Sequence, residues 1–139
     1  MSGHWEHYEH QADIGIRGVG GTQAEAFEQV ALAMMAVMVE PGRVKGGDVI
    51  EIRCCDPDPE MLLADWLNAV LCEVSARKML FSRFQVVIEG NVLRGRAWGD
   101  RIDSGQHQPV VEVKGASYCG LRVRTLEDGN WMAQCVVDV

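Results

Sequence analysis

The sequence predicts an α+β fold: a single domain in which two main helices pack on a largely antiparallel or mixed β-sheet. Two apolar stripes of helical period lie in the first half of the chain, and strands joined by turn signals fill the second. At 139 residues the chain is long enough for one well-buried core and too short for two domains of usual size. One domain over residues 1–139 is therefore expected.

Ile14, Ile16 and Val19 alternate with small or charged residues, predicting a strand over 12–19 that stops at Gly20-Gly21, with Asp13 near its start. Thr22 followed by Glu25 is a capping box, and Phe27, Val30, Ala31, Met34, Met35 and Met38 continue it at helical spacing. A Met stripe of this kind is ordinary flexible core filler more often than a binding surface. Pro41-Gly42 ends the first helix, and Val49, Ile50 and Ile52 predict a strand running to Cys54 and Cys55.

Asp58 and Pro59 start the second helix, because Asp can cap and Pro at the first helical position sacrifices no bonded N–H. Leu62, Leu63, Trp66, Leu67, Val70 and Val74 give it a wide apolar stripe. After Lys78 the period changes to two: Phe84, Val86 and Ile88 alternate, Gly90-Asn91 forms a hairpin turn, and 92–98 returns. A polar loop over 99–109 precedes predicted strands at 110–114, 118–126 and 131–139, the last two joined by a turn at 127–130.

The formal net charge of -7 disfavours a protein that grips phosphate backbones on its own, so RNA contact is expected only indirectly. An acidic surface associates with basic proteins, concentrates cations, or simply aids solubility. No secretory or transit signal opens the chain and no apolar run is long enough to span a bilayer, so a cytoplasmic protein without membrane contact is expected. The 5 cysteines are an odd set without a C-x-x-C pair, which favours reduced, mostly buried thiols over a disulfide framework or a structural zinc site.

His4, His7 and His10 are spaced by three, but on an extended segment they alternate faces, so aromatic edge packing or exposure is favoured over a three-His metal site. No nucleophile elbow, phosphate-binding loop, dinucleotide fingerprint or H-E-x-x-H is present. From the residues alone, Asp13 as a turn cap and Asp138 as a hydrated chain end stand level with the two as metal ligands.

Five segments carry a resemblance. His10-Gln11-Ala12-Asp13-Ile14-Gly15, the Glu25-Ala26-Phe27 helix, Leu62-Leu63-Ala64-Asp65-Trp66-Leu67-Asn68, Glu112-Val113-Lys114 and the ending Val136-Val137-Asp138-Val139 resemble the archease family, in order and nearly end to end. The resemblance implies an α+β accessory protein, not itself an enzyme, whose partner is the GTP-dependent tRNA-splicing ligase, the manganese enzyme that joins RNA ends bearing a 2′,3′-cyclic phosphate or 3′-phosphate. It would promote guanylylation of the ligase and multiple turnover. It also implies a divalent ion, Ca²⁺ in known examples, held by Asp13, Asp138 and the chain end at Val139. Such hard cations take oxygen ligands, about six to eight for Ca²⁺, so waters, backbone or a partner must complete the shell. Carboxylates about 4 Å apart without a cation would repel by roughly 4 kcal/mol at an effective dielectric of 20.

The sequence departs from the family pattern in two places. Asp100, in the polar group with Asp103 and His107, stands where Glu is more usual, and Cys119 stands where His commonly follows Tyr118. The second departure puts in doubt a role for the Tyr118–Cys119 edge in ligase contact. Two rival functions remain: a chaperone-like modulator of another RNA-modifying enzyme such as a tRNA methyltransferase, and a metal-dependent phosphoesterase, against which stands the lack of an evident base or nucleophile beside the carboxylates.

Overall fold

Thr22 and Asp58 begin the two long helices of the computed structural model, which describes residues 3–107 and 111–139. The Thr22 hydroxyl accepts the Glu25 N–H at 3.1 Å, and the Glu25 carboxylate accepts the Gly21 N–H at 2.8 Å, a capping box whose return arm reaches one residue further out. From there α1 (Gln23–Met38) buries Phe27, Val30, Met34 and Met38. Asp58 accepts the Glu60 N–H at 2.9 Å and opens α2 (Pro59–Arg77), which ends at Lys78 in the left-handed conformation, φ +53°.

Seven strands accompany the helices: β1 (His4–His10), β2 (Asp13–Gly20), β3 (Asp48–Cys55), β4 (Met79–Glu89), β5 (Val92–Arg101), β6 (Gly115–Thr125) and β7 (Trp131–Asp138). A single turn of helix, α3 (Ser104–His107), follows β5. The strands form a four-stranded sheet ordered β1-β2-β7-β6 and a three-stranded sheet ordered β3-β5-β4, with every pairing antiparallel. Helix α1 packs on β2 and β7 of the first sheet and on β4 of the second, while α2 packs on β6 and β3, so the helices lie between the sheets.

Buried side chains from all three layers meet there: Ile16, Ala133 and Cys135 from the larger sheet, Phe27, Met34, Trp66 and Leu67 from the helices, and Phe84, Leu93 and Ala97 from the smaller. The helices also cap the sheet edges. Glu28 of α1 accepts the Val86 N–H of edge strand β4 at 2.8 Å, and Asn68 and Glu60 of α2 accept the Ala116 and Val123 N–H groups of edge strand β6 at 3.0 and 3.3 Å. Each bond removes an exposed donor that another chain could pair with. Burial raises the Glu28 carboxyl above its ordinary value, the Val86 N–H opposing it in part.

The α+β class and the single domain are as the sequence predicts, and the strands divide into two sheets because β3-β5-β4 pairs only within itself. Three elements differ from expectation. The 4–10 segment is a full strand, β1, paired with β2 through a tight turn. Residues 111–114 are not a strand: the Val111 N–H bonds to the Met38 carbonyl and the Lys114 N–H to the Asp138 carbonyl, isolated anchors instead of a ladder. Val110, the first residue of that expected strand, lies outside the described residues. Finally, β5 continues to Arg101 because Met79 and Leu80 of β4 pair with Arg101 and Asp100. Among the described residues no helix is long and apolar enough to cross a membrane.

The cysteines are unpaired, but burial is not the rule the sequence suggests: Cys54 and Cys135 are buried, whereas Cys55, Cys72 and Cys119 are exposed. Burial pushes the Cys135 thiol up to about 12, and burial with the charge of Asp65 pushes Cys54 to about 11. Titration of the native protein with a thiol reagent at neutral pH is expected to modify Cys55, Cys72 and Cys119 and spare the other two until denaturant is added. Because the folded state holds the Cys135 proton more tightly than the unfolded chain does, stability is complete below pH ~9 and falls as pH rises toward ~12. Fast labelling of Cys135 in the native state would contradict this burial.

Candidate metal centre

The β1–β2 turn and the end of β7 come together at one end of the four-stranded sheet. His10 pairs with Asp13, Ile14 with Val137, and Gly115 with Asp138. Extending the β2–β7 register by one residue sets Asp13 beside Asp138. One rung therefore crosses all four strands in the order His10, Asp13, Asp138, Gly115. Residues directly opposite in antiparallel strands share a face, so the two aspartates and His10 project from the same side, the side away from α1. Gly115 adds no side chain to crowd them.

Asp13 and Asp138 are both exposed, and Val139 follows them with 47% of its surface exposed. The Asp138 carbonyl accepts the Lys114 N–H at 2.7 Å, which anchors the end of β7. Like charges directly opposite on neighbouring strands destabilise a sheet, so this pair is an arrangement that a bound cation would relieve. The donors are oxygens, the chemistry that suits Ca²⁺ and Mg²⁺. Among the described residues no three His, Cys, Asp or Glu side chains converge as a ready-made metal cluster.

The approach to the rung is shaped by a bulge in β6. The β6–β7 register shifts between Ser117 and Arg122, and the intervening residues fold over the outer face with Gly120 at φ +66°. Gln134 donates to the Gly120 carbonyl at 3.2 Å and the Ser117 hydroxyl accepts the Cys119 N–H at 3.0 Å, which holds the bulge in place. As a result Cys119 Sγ lies 3.6 Å from His10 Nε2, although β1 and β6 are opposite edges of the sheet. His10 Nδ1 is buried without a partner. Tyr8 lies flat on Gly15, where any side chain would collide with its ring, donates to the Cys135 carbonyl at 3.4 Å and carries the Arg17 guanidinium 4.5 Å from its centroid. Burial is the main cause that raises its hydroxyl above the ordinary tyrosine value.

The sequence points to Asp13, Asp138 and Val139, and the structure gathers them at one end. It does not bring in the second polar group. Asp100 lies in the three-stranded sheet, where it accepts the Lys45, Gly46 and Gly47 N–H groups at 2.6, 2.9 and 3.1 Å. Desolvation alone would raise its carboxyl, but these three donors and the His107 edge outweigh it and hold the group below the usual aspartate value. His107 is fully buried; its Nδ1 accepts the Asp103 N–H, so the neutral ring carries its proton on Nε2, 3.5 Å from Asp100. That group is a loop clasp. His4 and His10 share the outer face with the rung, whereas His7 turns inward and donates from Nε2 to the Ala33 carbonyl at 2.7 Å, so the three histidines form no site. The sequence raises Cys119 with a distant His and favours burial of the thiol on a strand instead; the structure leaves Cys119 exposed and makes that partner His10, which no local signal announces across 109 residues.

A family model described as the Archease protein family (MTH1598/TM1083) matches residues 5–139. The chain belongs to the archease family. A Pyrococcus furiosus archease is 42% identical over 139 residues, covering 97% of this chain and 98% of its own, and a Methanosarcina acetivorans archease is 35% identical with 97% and 95% covered. The solution structure of Methanobacterium thermoautotrophicum protein 1598 superposes with a TM-score of 0.84 at 30% identity, over 97% of this chain and 98% of that one. An archease from Thermotoga maritima, described as a possible chaperone, shares the fold with a TM-score of 0.63 at 19% identity, over 95% and 94%. The archease fold thus extends over essentially the whole chain, with the terminal rung inside the matched region.

Proposed function

We propose that the chain is a metal-bearing accessory protein that activates the GTP-dependent tRNA-splicing ligase, promoting its guanylylation and repeated turnover, and that it is not itself an enzyme. The observation that carries this is the rung itself: two aspartates of like charge on one face, beside the chain terminus, at an exposed end of the sheet. Asp13, Asp138 and the Val139 carboxylate would hold a divalent ion, Ca²⁺ by the family resemblance, and leave part of its shell open for a partner. The ion would supply a fixed positive charge that organises anionic groups in the ligase. Membership in the archease family supports the same reading, and a cytoplasmic site of action goes with it.

Replacing Asp138 with Ala in protein that remains folded is expected to lower Ca²⁺ affinity at least about tenfold, the scale on which even the outer partners of metal ligands count. Multiple-turnover ligation by the cognate ligase should fall to its unassisted rate, and Asp13→Ala should behave alike. A C-terminal tag, which displaces the terminal carboxylate and changes no side chain, should reproduce the loss. Full stimulation by the Asp13 and Asp138 variants would refute the proposal. The Thermotoga maritima protein is described as a possible chaperone, which favours a second reading, a chaperone-like role; its client would be another RNA-modifying enzyme such as a tRNA methyltransferase. Affinity capture from the native cell distinguishes the two by which enzyme is enriched.

A further inference from the structure

The smaller sheet presents a second surface that the metal-bearing rung does not use. Both helices pack on the side of β3-β5-β4 lined by Ile52, Leu93, Ala97 and Phe84, and no element of the described chain covers the other side. On that open side Trp98 is flanked by Arg83 and Val49, Arg96 by Gln85 and Glu51, and Arg94 by Val87 and Arg53. Arg53, Arg83, Arg94 and Arg96 are all exposed, and a shallow depression of about 560 Å³ runs between the last two rows.

The charge on this face opposes that of the whole chain. Three of the 20 acidic residues stand on it: Asp100 at its end, occupied by the Lys45, Gly46 and Gly47 N–H groups, and Glu51 and Glu89, exposed partners of Arg96 at 3.6 Å and Arg94 at 3.4 Å. Exposed pairs at such distances hold their partners weakly and are easily exchanged. Arg53 and Arg94 stand directly opposite on neighbouring strands, a like-charge pair that weakens the sheet, and Arg53 makes no ion pair among the described residues. Val49 and Val87 remain 52% and 46% exposed beside these charges. Arg83 lies over the Trp98 ring at 4.4 Å, which fixes a flat cationic and aromatic surface in the same face.

We propose that this face binds single-stranded RNA. Guanidinium groups repeat about every 6.8 Å along a strand and about 4.8 Å between strands, which offers donors in rows to a linear phosphodiester chain. The Trp98–Arg83 stack and the planar guanidiniums provide surfaces on which unpaired bases stack, and the Gln85 amide can both donate to and accept from a base edge. An open sheet has no element that enters a duplex groove, which favours a strand over a helix. A folded acidic protein would meet the same charges but has less use for a stacking surface spread over a sheet. The net charge of -7 is no obstacle, because most of the acidic residues are elsewhere on the chain.

The full chain is titrated into a fluorescent oligouridylate in low salt, with an RNA duplex and polyglutamate as comparison probes. The single strand is expected to bind more tightly than either, with affinity falling as salt rises because each neutralised phosphate releases counterions. Substituting Arg94→Ala and Arg96→Ala together is expected to weaken binding about tenfold or more and to flatten the salt dependence by roughly 0.7 per lost contact. Arg53→Gln, which relieves a like-charge pair and so leaves folding intact, should act in the same direction. Arg124→Ala, on the other sheet, should leave binding unchanged. Absence of binding at low salt, equal binding by the Arg variants, or tighter binding of polyglutamate would overturn the proposal. Because this face and the terminal rung lie on different sheets, either result leaves the metal reading to its own test.

Discussion

Trp66→Ala is expected to cost about 3–5 kcal/mol, the largest loss from any single truncation in this core. Trp66 is fully buried between the helix layer and the smaller sheet. Its ring meets Phe84 of β4 edge-on, with centroids 5.8 Å apart at 82°, and lies so close to β5 that a Cβ on Gly95 would be 2.5 Å from its Cζ3. Its indole N–H donates to the Phe27 carbonyl of α1 at 3.1 Å. One side chain thus ties α2 to α1 and to strands β4 and β5 of the smaller sheet, and truncation leaves a cavity that rigid neighbours cannot fill. Against a total stability of about 5–15 kcal/mol, the variant should melt at a sharply lower temperature or fail to fold at 37 °C. Trp66→Phe retains most of the volume and should lose mainly the hydrogen bond, about 1 kcal/mol. Equal losses for the two variants in urea denaturation would show that cavity formation is not the cause.

Gly18→Ala is expected to destabilise by about 3 kcal/mol through overpacking, although it adds one methyl group. Gly18 is where β2 and α1 approach most closely: a Cβ there would collide with the Val30 backbone nitrogen, with the Ala26 carbonyl oxygen at 2.5 Å and the Gln29 carbonyl carbon at 2.8 Å. These obstacles are helix backbone, so no rotamer change relieves them and α1 must move off the sheet. For a chain of this length that is a fall in Tm of roughly 10 °C. The measurement is thermal denaturation followed by far-ultraviolet circular dichroism. An unchanged Tm would mean that the helix shifts freely over β2, and the close packing would lose its significance.

These two residues mark different degrees of legibility. Trp66 stands in an apolar stripe of period 3.6, so its place on the buried side of a helix is visible in the sequence. Gly18 carries no such sign; the alternation of Ile14 and Ile16 announces a strand but not that a helix backbone will rest against it. The caps at Thr22 and Asp58 were legible because capping uses neighbours three residues apart or fewer. Strand β1 was not, because its residues mix aromatic, acidic and imidazole side chains without clean alternation, and its strand character comes from pairing with β2. The bulge in β6 was hidden for a related reason, being held by Gln134 of the partner strand and by contacts with β1.

By itself the sequence determined the α+β class, the two helices with their starts, most strands and the candidate ligands Asp13, Asp138 and Val139, since periodicity, capping and the family resemblance all act through order along the chain. Only the tertiary structure decided that the strands form two sheets with the helices between them. It also decided that residues from opposite ends of the chain share one rung, that Cys119 crosses the sheet to His10, and that arginines from three strands collect on one open face of an acidic protein. Those are consequences of strand register and layer packing. Both join residues far apart in the sequence, where no local pattern of charge or hydrophobicity records the pairing.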